Sequence, residues 1–263
     1  MRQILVNGRR IGYEVRPETL DEAALTLVMI HGSGGHKADW GAQLEGLSNG
    51  HAVVALDLPG HGDSDPPGEQ NVAAYAEWVT GFVEALGLSR VMLVGCSLGS
   101  ATALWLALHP RPWLRAVGLV GAGARLKVHP AFLDGFLKDS QAAIGMLVEY
   151  ALFQGSTDSL RQTIRSQFLG CPVELLHGDF TACNEFDVME RVGSVELPTW
   201  IVVGAEDRLT PPKYSAFLHD RIPGSRLDMI PGAGHLVMIE KPDAFNSLLR
   251  GFLATLPGPS HAP

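Results

Sequence analysis

The chain has 263 residues, 46% of them hydrophobic and 18% charged, and carries 20 basic against 28 acidic side chains for a formal net charge of −8. Such a length and apolar content suit one large domain with its own core, or one domain with an insertion. The acidic balance, without a Lys/Arg cluster, excludes an electrostatic footprint for nucleic acid or an anionic membrane.

The first predicted elements are two short strands, QILVNG and RIGYEVR, turned by Asn7-Gly8. This strand-like opening has no apolar leader. After the link ETLDEA, the continuous apolar run LTLVMI reads as a buried strand that ends at HGSGGH. ADWGAQLEGLS is a short helix, HAVVALDLPG repeats the strand-to-loop pattern, and VAAYAEWVTGFVEALGL is an amphipathic helix closing near Gly87. RVMLVGCS, SATALWLALHP and LRAVGLVGAG continue as strand, helix, strand. This alternation predicts an α/β fold: a mostly parallel, doubly wound sheet with helices on both faces.

The rhythm breaks over residues 125–191. Four helical patterns follow one another there: HPAFLDGFLKD, QAAIGMLVEYALF, DSLRQTIRSQFL and PVELLHGDFTACNEF. It resumes with PTWIVVGAED, PPKYSAFLHDRI, SRLDMIPGAGH and PDAFNSLLRGFLATL. The expected organisation is a core of residues 1–124 and 192–263 with a helical lid, or cap, of residues 125–191. The tail GPSHAP is expected to fray. No apolar run approaches the ~20 residues that span a bilayer. Three sparse cysteines, Cys96, Cys171 and Cys183, fit neither a disulfide framework nor metal-ligand spacing, which points to a reducing, cytoplasmic setting.

Ligands of open parallel sheets gather at the carboxyl ends of the strands. Those ends read HGSGGH, DLPGHGDSD, GCSLGS, GAGARL, GAEDRL and PGAGHL, and the chemically capable residues concentrate there. Gly95-Cys96-Ser97-Leu98-Gly99 is G-x-S-x-G between a strand and a helix, a sharp turn whose flanking side chains must be absent. Ser97 takes the apex, and Cys96 falls beside it as a small buried hydrophobe. A serine nucleophile needs a base, and an imidazole base needs a group to fix its tautomer. Asp207 and His235 follow Ser97 in the order Ser, acid, His.

With these residues the chain resembles the α/β-hydrolase fold family, in its small, lid-bearing serine esterase type. HGSGG, DLPGHGDS, GCSLGS, GAEDRLTPP and PGAGHLVMIEKP fall in the family's order over nearly the whole length. The resemblance implies an oxyanion loop at HGSGG, with the backbone N–H groups of Ser33 and Leu98 as donors and Gly34 as a neighbouring alternative. It also implies that Asp57 and His61 belong to a structural turn, and that the acid is Asp207 rather than Glu206. GAGARL, where some relatives carry the acid, has no carboxylate. His31 and His36 lack carboxylates at ligand spacing, so no metal or other cofactor is expected, and His31 is assigned to orienting its loop.

A serine, His235 and Asp207 with two N–H donors suit acyl transfer to water. The expected activity is a carboxylic ester hydrolase acting on small to medium apolar acyl or alcohol groups. Lactonase, thioesterase, and cofactor-free perhydrolase or haloperoxidase chemistry are alternatives on the same triad, and a non-catalytic receptor-like ligand binder is another. Leu236 follows the histidine where carbon–carbon bond hydrolases of this fold usually show tryptophan. Phe132, Met146, Phe153 and Leu236 are the expected substrate-binding side chains of lid and rim. A small-molecule ester is the expected partner, without nucleic acid or membrane; monomer and homodimer both remain open.

Overall fold

The computed structural model describes residues 2–20 and 24–257. The tail GPSHAP and the end of the link ETLDEA lie outside the described residues. Eight strands form one sheet: β1 (Arg2–Val6), β2 (Arg9–Arg16), β3 (Thr26–Ile30), β4 (Ala52–Leu56), β5 (Val91–Cys96), β6 (Leu114–Val120), β7 (Thr199–Gly204) and β8 (Arg226–Ile230). Their spatial order is β1-β2-β4-β3-β5-β6-β7-β8. β1 pairs with β2, and β2 with β4, antiparallel, while every pairing from β4 to β8 is parallel. The β1–β2 turn bends through Asn7 at φ 49° and Gly8 at φ 82°, as Asn-Gly favours.

The core splits by strand alternation. Val28 and Ile30 of β3 pack on one face with Val54, Leu56 and Leu93; Leu27 and Met29 pack on the other with Val53, Ala55, Met92 and Val94. The first face is covered by α2 (Val72–Ala85), α3 (Leu98–Leu108) and α8 (Pro212–Arg221), the second by α1 (Gly41–Leu47) and α10 (Pro242–Leu253). Phe245 of α10 sits with its ring 5.1 Å from Trp200 and 6.0 Å from Trp40, wholly buried. Truncating such a ring to alanine costs ~3–5 kcal/mol. Two short elements went unforeseen: a 3-10 turn at Val192–Ser194 and the four-residue α9 (Val237–Glu240), which begins two residues after His235.

Between β6 and β7 stand α4 (Pro130–Lys138), α5 (Ser140–Ala151), α6 (Asp158–Gly170) and α7 (Val173–Glu185). Each of the first three starts on a side-chain cap, from His129, Asp139 and Thr157 in turn. The four helices share an apolar cluster of their own, including Phe132, Phe136, Leu147, Phe168 and Leu176. The segment that joins β6 to β7 begins and ends on paired backbone. Arg125 bridges Asp187, and the Val188 N–H donates to the Ala124 carbonyl at 2.8 Å.

Candidate active site

Ser97 lies between β5 and α3 at φ 54°, ψ −115°. Apart from Asn7 of the hairpin, it is the only non-glycine at positive φ among the described residues. That conformation is strained for a residue with a Cβ and persists because its surroundings fix it. A Cβ on Gly95 would lie 2.0 Å from the Gly99 carbonyl oxygen, and one on Gly99 would lie 2.4 Å from that of Ile30. Both elbow glycines are therefore required by contact. The Ser97 N–H donates to the Val120 carbonyl at 2.9 Å, which ties the apex to β6.

The neighbouring thiol is chemically quiet. Cys96 is fully buried, and burial, followed by the charges of Asp207 and Asp39, pushes it well above the usual thiol range. Without a thiolate there is no strong sulfur nucleophile.

His235 lies on the loop between β8 and α9, and its Nδ1 is 2.8 Å from Asp207 Oδ2. Asp207 is held in turn: Oδ1 accepts the N–H groups of Leu209 and Thr210 at 2.9 and 2.8 Å, and Oδ2 accepts the Thr210 hydroxyl at 2.8 Å. An ionised carboxylate at Nδ1 keeps the ring proton there and leaves Nε2 as an acceptor. Burial opposes charge on His235, yet the Asp207 carboxylate, with Glu240 behind it, outweighs burial and raises the imidazole above its ordinary value. Glu206 points elsewhere: it is exposed, and its Oε2 accepts the Ala233 N–H at 3.2 Å. The His235 backbone N–H donates to the Ala151 carbonyl at 2.7 Å, joining the histidine loop to the end of α5.

The loop after β3 crosses Ser97, since a Cβ on Gly32 would lie 3.2 Å from Ser97 Cβ. Of its N–H groups, that of Gly34 is taken by Asp179 Oδ2 at 2.8 Å and that of Gly35 by the Gly32 carbonyl at 3.0 Å. The N–H groups of Ser33 and Leu98 carry no such bond among the described residues. His31 is fully buried, its Nε2 accepting the Leu58 N–H at 2.9 Å and its Nδ1 donating to the Gly32 carbonyl at 2.8 Å. Burial, with nearby His61, lowers it to about 3, so it stays neutral and braces the loop. Asp57 accepts the Lys37 N–H and ammonium and the Asp63 N–H, the bonding of a turn. Among the described residues no group of three or more His, Cys, Asp or Glu side chains is placed to hold a metal ion.

Ser33, Ser97 and Thr210 share the wall of a cavity of about 180 Å³. Phe132, Tyr150 and Phe180, all from the inserted helices, supply its aromatic side. Lys127, His129 and Arg208 also line it, and among the described residues no carboxylate does. Met146, Phe153 and Leu236 are not part of the wall. Met146 packs into the inserted helices' own cluster, the Phe153 ring folds over Gly155, and Leu236 packs between two apolar clusters. A larger cavity of about 500 Å³ at the β1–β2 side, between Arg16, Lys37 and Asp63, is lined by no serine, threonine or cysteine among the described residues.

Several site residues were not read from the sequence. Tyr150 gives no local signal, and Asp179 reads as one more acid on a polar helix face. The threonine of DRLTPP, three residues past the acid, was the one findable clue, because Ser and Thr commonly bond back to a nearby Asp.

Residues 26–242 match the model of the alpha/beta hydrolase fold family. The chain is 26% identical over 254 residues to a pimeloyl-[acyl-carrier protein] methyl ester esterase of Neisseria meningitidis, covering 90% of this chain and 95% of that protein. It is 25% identical over 246 residues to 3-oxoadipate enol-lactonase 1 of Acinetobacter baylyi, covering 89% and 91%. A solved thermophilic esterase superposes with a TM-score of 0.85 at 35% identity, covering 96% of each chain.

Proposed function

The chain belongs to the α/β-hydrolase fold family, with esterase-type relatives, and from that premise we propose that it is a serine hydrolase of carboxylic esters. What carries this reading is a strained Ser97 on the cavity wall together with a His235 whose Nδ1 is engaged by a buried Asp207 and whose carbonyl lies beside Cys96, the neighbour of Ser97. His235 Nε2 takes the hydroxyl proton as Ser97 Oγ attacks the ester carbonyl carbon. The tetrahedral oxyanion is met by the N–H groups of Ser33 and Leu98, and such preorganised donors act strongly in a dry site. His235 then protonates the departing alkoxide, leaving an acyl-serine. Water, deprotonated by the same nitrogen, hydrolyses it. Asp207 stabilises the imidazolium in both halves without taking its proton.

The inserted helices, residues 125–191, act as a lid. Phe132, Tyr150 and Phe180 descend from them onto the cavity, and the paired backbone at Arg125 and Asp187 fits a unit added to a finished core. A cavity of about 180 Å³ with aromatic walls favours small to medium apolar acyl or alcohol groups. Lactones and thioesters present the same carbonyl, and one relative is an enol-lactonase. Lys127, His129 and Arg208, with no opposing carboxylate among the described residues of the wall, leave room for an ester whose far end is anionic.

A substrate panel tests the reading. p-Nitrophenyl esters of graded chain length, with and without a terminal carboxylate, are compared with lactones, thioesters and peroxide-dependent halogenation. Ester turnover by the parent, abolished in Ser97→Ala, is expected. Ligand binding without turnover of any acyl compound would overturn it.

A further inference from the structure

The deepest polar side chain of the inserted helices is Asp179 on α7, which is wholly buried. Three donors from three elements converge on it. Oδ2 accepts the Gly34 N–H at 2.8 Å and lies 2.9 Å from His61 Nε2, while Oδ1 accepts the Tyr75 hydroxyl at 2.6 Å. Gly34 lies in the loop after β3, His61 in the loop after β4, and Tyr75 on α2. A carboxylate buried this deeply is tolerated only where its oxygens are satisfied, and here both are.

The bond to Gly34 falls on the turn that carries Ser33. The Gly35 N–H reaches back to the Gly32 carbonyl at 3.0 Å, with Gly34 at φ 64°, as glycine at the third position of a type II turn adopts. Gly32 C=O shares a rigid peptide plane with the Ser33 N–H, and in a trans peptide the two point opposite ways. Donation to that carbonyl by Gly35 N–H and His31 Nδ1 therefore aims the Ser33 N–H. The next plane, which contains the Gly34 N–H, is gripped by Asp179. A Cβ on Gly34 would lie 2.8 Å from Leu176 Cδ1 and 3.0 Å from Phe168 Cδ1, so α6 and α7 press directly on the same turn.

We propose that Asp179 is a positioning residue for the oxyanion site: from the inserted α7 it holds the Gly34 N–H, locks the Gly32–Gly35 turn, and thereby fixes the Ser33 N–H toward the substrate oxygen. Gly34 is withdrawn from service as a donor. Seating of α7 and assembly of the oxyanion site become one event, so the lid reports its closure to the chemistry through a single carboxylate. The inference rests on the serine-hydrolase reading.

The test compares the parent with Asp179→Asn and Asp179→Glu. An amide offers one oxygen to three donors, and the longer acid moves the acceptor away from Gly34. Each variant is assayed for kcat and KM on a p-nitrophenyl ester, and for inhibition by an aryl trifluoromethyl ketone, whose adduct with Ser97 places an oxyanion where the reaction does. Both variants are expected to lose about 10- to 100-fold in kcat, less than outright removal of a donor, with KM little changed and ketone affinity falling in parallel. A merely structural role would move thermal stability and KM without that parallel. A folded variant of either kind that keeps the parental kcat, or that loses kcat while binding the ketone as the parent does, would overturn the proposal. A parent that neither hydrolyses esters nor binds the ketone would sink the serine-hydrolase reading itself, a different failure.

Discussion

Gly121 and His235 stand so close that a Cβ on the glycine would lie 2.9 Å from both Nδ1 and Cε1 of the imidazole. Gly121 follows β6 at φ 54°, so a side chain there meets backbone strain as well as the ring. Gly121→Ala is expected to destabilise the fold by ~1–2 kcal/mol through left-handed backbone strain. It also displaces the imidazole, and a misplacement of about 1 Å costs on the order of 10²-fold in rate. Thermal unfolding and kcat, measured together, check this; a parental kcat would mean that the ring has another resting place.

The two adjacent carboxylates make a sharper comparison. Only Asp207 reaches His235: the two carboxylates lie in the turn after β7, where the Asp207 N–H donates to the Gly204 carbonyl, and Glu206 is engaged by the Ala233 N–H instead. Asp207→Asn is expected to fold normally and lose ~10²-fold or more in kcat, since an amide can hold the wrong tautomer. Glu206→Gln stays within a few-fold. The acid limb of kcat/KM should also move. In the parent the carboxylate holds the imidazole above its ordinary value, so activity rises with pH only through that raised value. Removing the charge shifts the limb to lower pH. An unshifted limb in Asp207→Asn would show that some other group sets it.

Much of this was legible because it rests on patterns the chain writes locally. Continuous apolar runs mark β3 to β7, and Gly95 and Gly99 flag the turn that Ser97 crowns. The choice of Asp207 over Glu206 rests on the family resemblance, since two adjacent carboxylates look alike in the sequence. What could not be read depends on how distant surfaces meet. Phe132 and Met146 are both apolar residues of inserted helices, yet only the packing of α4 against α7 and α5 turns Phe132 to the cavity and Met146 away. Asp179 acquires its meaning from Gly34, 145 positions earlier, and no periodicity in α7 announces that bond.

This difference gives a prediction about chain length. Phe132→Ala opens the aromatic wall and should move the preferred p-nitrophenyl ester toward longer acyl chains. Each further methylene buried contributes up to ~0.8 kcal/mol, or roughly four-fold in kcat/KM. Met146→Ala, off the wall, should leave the preference where it was. Reversed results, with Met146 setting the optimum, would relocate the acyl site.

His31 predicts a pH dependence of stability. In the fold it is held to about 3, against an ordinary unfolded value near ~6.5. Between those limits the unfolded chain takes up a proton that the folded chain refuses, so the contribution is full above ~6.5 and is lost as pH falls toward about 3. His61 and His235 are raised instead, and their contributions fade as pH rises. A difference measurement isolates His31. The stability advantage of the parent over His31→Gln should shrink by roughly 1.4 kcal/mol per pH unit below ~6.5. A constant gap down to pH 4 would mean that the buried imidazole is charged.

Covalent labelling of the nucleophile is the most direct measurement of all. The parent is incubated with a fluorophosphonate, its esterase activity is followed, and the adduct is located by peptide mapping. One adduct per chain on Ser97, formed in step with loss of activity and absent from Ser97→Ala, is the predicted result. Label on Cys96 or Cys183, or full activity in a chain labelled at Ser97, would contradict serine hydrolysis at this site.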